Sequence, residues 1–187
     1  ISSKQNFKIV QNLTAGITPN EISLCQNQSQ LINLNGQLSG SSPGGVWKEV
    51  SVIPSKNNAQ NILNGLFNTQ NQAPGTYLVE YTVSPESPCQ ESSVILKINI
   101  NPNPIADAGP DKTITCSSPI VDLGGLNSSV GTEFIYNWSG SVGSNSSLIT
   151  NTSVPGTYQL IITNTITSCT ASDNVIVEFA NDLPLPS

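Results

Sequence analysis

From Tyr77 to Val83 the chain alternates: Tyr77, Val79, Tyr81 and Val83 fall on one side of an extended backbone, while Glu80 and Thr82 face the other way. A period of two marks a strand with one buried face. Val94, Leu96, Ile98 and Ile100 repeat the pattern with Lys97 and Asn99 between them, and Phe134, Tyr136 and Trp138 do so later in the chain. No window sustains a helical period. Turn chemistry separates these runs at Ser41-Ser42-Pro43-Gly44-Gly45, Pro74-Gly75, Gly124-Gly125 and Pro155-Gly156. Many short strands spaced in this way predict an all-β chain of sandwich type.

The strand pattern occurs twice. Cys25, the stretch Leu31 to Leu34, Trp47, Pro74-Gly75-Thr76-Tyr77, Cys89 and Val94 to Ile100 are followed in the same order by Cys116, Ile120 to Leu123, Trp138, Pro155-Gly156-Thr157-Tyr158, Cys169 and Val175 to Phe179. Each Trp lies 22 positions after the first Cys of its copy, and Tyr precedes the second Cys by 12 positions in one copy and 11 in the other. The copies differ mainly between Trp and Pro-Gly, where the first carries the extra run Lys56 to Asn61, read as a loop. Such a repeat predicts two tandem immunoglobulin-like β-sandwich domains, residues 1–101 and 102–187. The boundary falls at Asn101-Pro102-Asn103-Pro104, a semi-stiff connector without two of its backbone donors. Phe7 to Val10 has the character of a last strand from a preceding repeat, and the prolines of Asn181 to Ser187 look like the start of a further linker. The expectation is a segment cut from a longer array.

Four cysteines allow three pairings. Giving both copies the same bridge selects Cys25 with Cys89 and Cys116 with Cys169, tying a domain end to the turn before the last strand. Closing such loops contributes about 4 kcal/mol each in the chain-entropy description, and disulfides imply an oxidising compartment. With no His and no C-x-x-C spacing, a zinc site is disfavoured. Trp47 and Trp138, at matched positions on inward faces, are assigned to the cores, as are Tyr77 and Tyr158, whose hydroxyls need backbone acceptors.

Composition narrows the function classes. A net charge of -6 with six basic residues removes the electrostatic term on which nucleic-acid binding depends. No apolar run is long enough to span a bilayer. Without His, neither a Ser-His-Asp nor a Cys-His arrangement can be built. Glu86 and Glu91 fall in a turn region with no cleft implied, so no catalytic residue is assigned and the chain is read as a non-enzyme. Asp107 and Asp111 are oxygen donors of the kind calcium favours, but a calcium site needs six to eight oxygens, so further ligands such as Asp122 or Asp173 would be required. No other cofactor is expected.

Pro104-Ile105-Ala106-Asp107-Ala108-Gly109-Pro110-Asp111, with Cys116, Trp138-Ser139, Pro155-Gly156-Thr157-Tyr158 and Cys169-Thr170-Ala171-Ser172-Asp173, resembles the PKD-like repeats of Bacteroidota cell-surface adhesins, the gliding-motility adhesins among them. The first copy is less similar, because Asn12 to Cys25 lacks the acidic form of the motif. The resemblance implies an exported, type IX secreted, cell-surface array: a spacer or stalk and multivalent adhesive surface whose partners are neighbouring repeats and surface glycans or other surface proteins. Two alternatives stay open. One is a carbohydrate-binding module or accessory domain of a secreted hydrolase, which would need exposed aromatic rings; the other is a self-assembling filament subunit, with Phe7 to Val10 as the exchanged strand.

Overall fold

The computed structural model describes residues 12–19, 21–87, 89–140 and 146–180. The chain divides into two compact units, Ile1–Asn101 and Pro102–Ser187. Both are β-sandwiches of the immunoglobulin-like type. Phe7 to Val10 and Asn181 to Ser187 lie outside the described residues.

Unit 1 contains β1 (Ile22–Cys25), β2 (Leu31–Asn33), β3 (Val46–Glu49), α1 (Ala59–Leu63), β4 (Leu66–Asn68), β5 (Gly75–Val83) and β6 (Ser92–Asn101). One sheet has the order β1-β6-β5-β3, and β2 pairs with β4 in the other. The period of two does its work in β5, where Tyr77, Val79, Tyr81 and Val83 are all buried. From the opposite sheet Ile32 and Phe67 meet them in one core with Leu34, Trp47, Leu96 and Ile98. The Phe67 and Tyr77 rings sit 5.5 Å apart, and those of Trp47 and Tyr81 5.1 Å apart, all tilted.

Unit 2 contains β7 (Lys112–Ile114), β8 (Val121–Leu123), β9 (Phe134–Ser139), β10 (Thr150–Thr152), β11 (Gly156–Asn164) and β12 (Thr170–Phe179). Its sheets are β7-β12-β11-β9 and β10-β8. Trp138, Tyr158, Leu160, Ile162, Leu123 and Val175 form the core between them.

The two units share the register of their terminal strands. The first strand of each unit runs parallel to the last: β1 pairs with β6 from Ile22↔Ile98 to Cys25↔Asn101, and β7 with β12 from Lys112↔Val177 to Ile114↔Phe179. The remaining strand pairs are antiparallel.

The extra run after Trp47 differs from the loop expected of it. It leads into α1, which buries Ile62 in the unit 1 core. A five-residue helix is too short to show a period of 3.6 in sequence. Amide side chains hold it in place. Asn58, fully buried, donates from Nδ2 to the Asn68 carbonyl at 2.7 Å and accepts the Asn68 N–H at Oδ1 at 2.8 Å. Gln72 likewise donates to the Lys56 carbonyl and accepts the Lys56 N–H, each at 2.8 Å. A carboxamide carries one acceptor and a donor group, so it can pair with a peptide as a neighbouring strand would.

Candidate functional site

In each unit the side-chain chemistry lies at the poles and along the leading segment. Trp47 is 2% exposed and Trp138 0%. The Trp47 indole N–H donates to Asn35 Oδ1 at 2.8 Å, and that of Trp138 to the Ser147 carbonyl at 3.1 Å. Tyr77 donates its hydroxyl to the Ala73 carbonyl at 2.8 Å and Tyr158 to that of Val154 at 2.7 Å, each four residues upstream. The Pro-Gly-Thr-Tyr segment is thereby closed into a corner in both copies. Burial raises the Tyr77 hydroxyl pKa above its ordinary value, with the Glu49 charge adding to the effect and the bond to Ala73 opposing it.

The cysteines do not pair as the repeat alone suggested. Cys25 ends β1 opposite Asn101, the last residue of β6, whereas Cys89 lies in the connection before Ser92, the first residue of β6, with its N–H bonded to the Glu86 carbonyl at 3.1 Å. Nine residue steps of strand at 3.3 Å put these two positions about 30 Å apart. In unit 2, Cys116 sits at the tip of the turn after β7, beyond the Ile114↔Phe179 pair, while Cys169 immediately precedes β12. The same strand length separates them. A disulfide needs Cα atoms within about 7 Å, so neither Cys25–Cys89 nor Cys116–Cys169 can form. Cys89 and Cys116 are free thiols. The sequence reading erred because it had no direction for the first strand: a parallel β1 carries its terminal cysteine away from the turn it was assigned to.

Asp107 and Asp111 are occupied by the backbone. Asp107 Oδ1 accepts the Gly109 N–H at 3.0 Å, and Oδ2 accepts the Asn127 N–H at 3.1 Å and its side-chain amide at 3.0 Å. These bonds, those from the Asn127 and Gly109 N–H groups first, hold the Asp107 carboxyl below its ordinary range, against a smaller opposing effect of desolvation. Asp173 Oδ2 accepts the Ala108 N–H at 2.8 Å, and Asp111 Oδ1 the Ile176 N–H at 2.8 Å. Gly125 is required because a Cβ there would stand 2.0 Å from the Asp107 carboxyl carbon. The acidic motif thus pins the leading segment of unit 2 along β12. Among the described residues no three His, Cys, Asp or Glu side chains converge as a metal site.

Unit 1 does the same with neutral groups. Thr14 Oγ1 accepts the Gly16 N–H at 3.1 Å, and Ser92 Oγ accepts the Ala15 N–H at 3.0 Å. Ala15 and Ala108 are both buried beneath these bonds. Sequence reasoning passed over Asn127, Thr14 and Ser92, whose pinning role no local spacing reveals.

No protein-family profile matches the chain, and no curated protein does. Among solved structures it is similar to extracellular domains 3-5 of Drosophila OTK, at 12% identity over 93% of this chain and 63% of that one, TM-score 0.47. The I-band fragment I67-I69 from titin is matched at 12% identity over 88% of this chain and 64% of that one, TM-score 0.45. Sidekick-1 immunoglobulin domains 1-4 are matched at 14% identity over 88% and 51%, TM-score 0.33. The chain therefore spans between half and two thirds of the length of these tandem arrays. Likeness at this level carries no inference about activity or partner.

Proposed function

We propose that this chain is a non-catalytic repeat segment of an extracellular, surface-displayed adhesin or filament, acting as spacer and as a multivalent adhesive surface. One observation carries the reading: each unit is a through-running link. The leading segment lies beside the last strand and runs parallel to it, so the backbone comes in at the head of that strand and leaves at its tail. Units of this kind add length one after another. Tension on the two ends would shear every hydrogen bond between first and last strand together rather than peel them in turn, which suits a load-bearing stalk.

The absence of His from the sequence agrees with a role without catalysis. Among the described residues no helix is long and apolar enough to cross a membrane. Against a discrete carbohydrate-binding module stands the burial of both tryptophans, which cannot stack on sugar rings from within the cores. The resemblance of the second copy to PKD-like adhesin repeats supports export by the type IX route and a gliding-type adhesin as parent.

Beads carrying either single chains or a dense array test this reading on glycan-coated and cell surfaces. The expected result is negligible retention of the isolated chain and a gain of about 10²-fold or more on multivalent display. Tight monovalent binding to one glycan, or turnover of a polysaccharide, would contradict it.

A further inference from the structure

The two units differ at one edge of their main sheet. In unit 1 that edge is β3, and it is guarded: α1 packs against it, with Ala59, Ile62 and Leu63 set beside Val46 and Trp47, and the strand carries Lys48 and Glu49. Charge and a covering element are the means by which sheet edges are kept from pairing with other chains. Unit 2 has neither. Its edge is β9, Phe-Ile-Tyr-Asn-Trp-Ser, without a charge or a proline, and among the described residues only β11 pairs with it. Ile135 is 56% exposed there, and Asn137 and Ser139 are exposed as well. We propose that the free edge of β9 is a self-adhesive strand, which takes β9 of a second copy of this chain antiparallel about a two-fold axis at Asn137.

Hydrogen bonding fixes that register. The Thr165 N–H is bonded to the Glu133 carbonyl at 2.7 Å, so the backbone of Glu133 faces β11, and with it, by alternation, that of Ile135, Asn137 and Ser139. Tyr136 and Trp138 therefore turn their backbone N–H and C=O groups to the open edge. With Asn137 on the axis, Tyr136 of each copy stands opposite Trp138 of the other, and the two such pairs exchange about four bonds. Asn137 then meets Asn137 of the second copy in the kind of pair where side chains approach closely. A carboxamide carries both donor and acceptor, so it complements itself, as a carboxylate or an ammonium group cannot. Ile135 falls beside Ser139 of the second copy, exposed face with exposed face.

Charge does not oppose the contact at physiological salt. Unit 1 balances five acidic residues with five lysines, so all of the net charge of -6 falls in unit 2, where seven acidic residues stand against Lys112 alone. None of them lies on β9 or β11. Glu133, just before β9, would be about 27 Å from its counterpart, beyond the Debye length of about 8 Å at 0.15 M salt. A strand of six residues is about 20 Å long, so the contact belongs to the small end of specific interfaces and is weak by itself. That suits the adhesive reading above, on which the use of this edge rests: one contact holds little, and an array of repeats multiplies it.

Sedimentation equilibrium of the full chain, with a reductant present so that thiols stay free, tests this between about 10⁻⁵ and 10⁻³ M. The expected result is a reversible dimer that tightens about threefold or more as salt rises from about 10 to about 150 mM, because screening removes the repulsion between two acidic units. Asn137→Lys and Asn137→Asp change an exposed side chain and should leave the Trp138 unfolding transition in place. Each alone should weaken the dimer about tenfold or more, and the two mixed should recover it as a heterodimer, since Lys and Asp then face each other on the axis. A merely structural effect of either substitution is not undone by mixing. A chain that stays monomeric up to about 10⁻³ M, a dimer indifferent to Asn137→Lys, or no recovery on mixing overturns the inference. None of these outcomes decides the adhesive reading, which the beads on glycan-coated and cell surfaces test separately.

Discussion

At the residue scale, carboxamides and small hydroxyls do work that charged groups do in many proteins of this size. Asn58 shows why a chain with only 10% charged residues can still order a ten-residue excursion: its amide stands in for a missing strand and satisfies both polar groups of Asn68 in a buried place. Asn58→Ala would leave that N–H and carbonyl unpaired and should cost unit 1 about 2 kcal/mol, a fall of roughly 10 °C in its melting temperature. Trp47 fluorescence in a Trp138→Phe background is the measurement, and unit 2 should melt unchanged. Asp107 gives a pH signature. Its folded pKa lies below its ordinary value, so the stability it confers is fully present above about pH 4 and is lost as pH falls through the folded value. Thermal melts followed at Trp138 in a Trp47→Phe background should therefore steepen in their pH dependence below pH 4, and Asp107→Asn should flatten that limb. In unit 1 the corresponding pin, Thr14, does not titrate; there the acid response should come from Glu21, whose carboxyl is lowered chiefly by its bond to Lys97 at 3.0 Å.

At the scale of elements, alternation was legible and direction was not. Tyr77, Val79, Tyr81 and Val83 announce a half-buried strand because burial follows the pleat, and the structure shows β5 with those four side chains inside. The sandwich follows from many such strands with turns between them. Nothing local says whether Ile22 to Cys25 pairs with β6 parallel or antiparallel, since a four-residue edge strand with half-buried side chains satisfies the same pattern either way. That choice is made by distant contacts, the bond of Ser92 to Ala15 among them, and it decides where Cys25 ends up. The motif Ala106-Asp107-Ala108-Gly109 was visible as a motif, but its acids suggested a cation because their true partners, peptide N–H groups, leave no trace in a sequence. Gly125 tests the pinning directly. Gly125→Ala forces the Asp107 carboxylate aside and should lower unit 2 stability by about 1–3 kcal/mol, read from the Trp138 transition, while unit 1 holds.

At the scale of the whole molecule, each repeat is a through-running link. Parallel terminal strands carry the backbone from head to tail of every unit, and they also carry the two cysteines of every unit to opposite ends. Stretching single molecules held by their ends under reducing conditions tests this most directly. The account predicts two opening events, one per unit, each releasing about 300 Å of chain and each at the high force of terminal strands sheared along their length. Opening of both units at the low force of strands peeled one hydrogen bond at a time would contradict it.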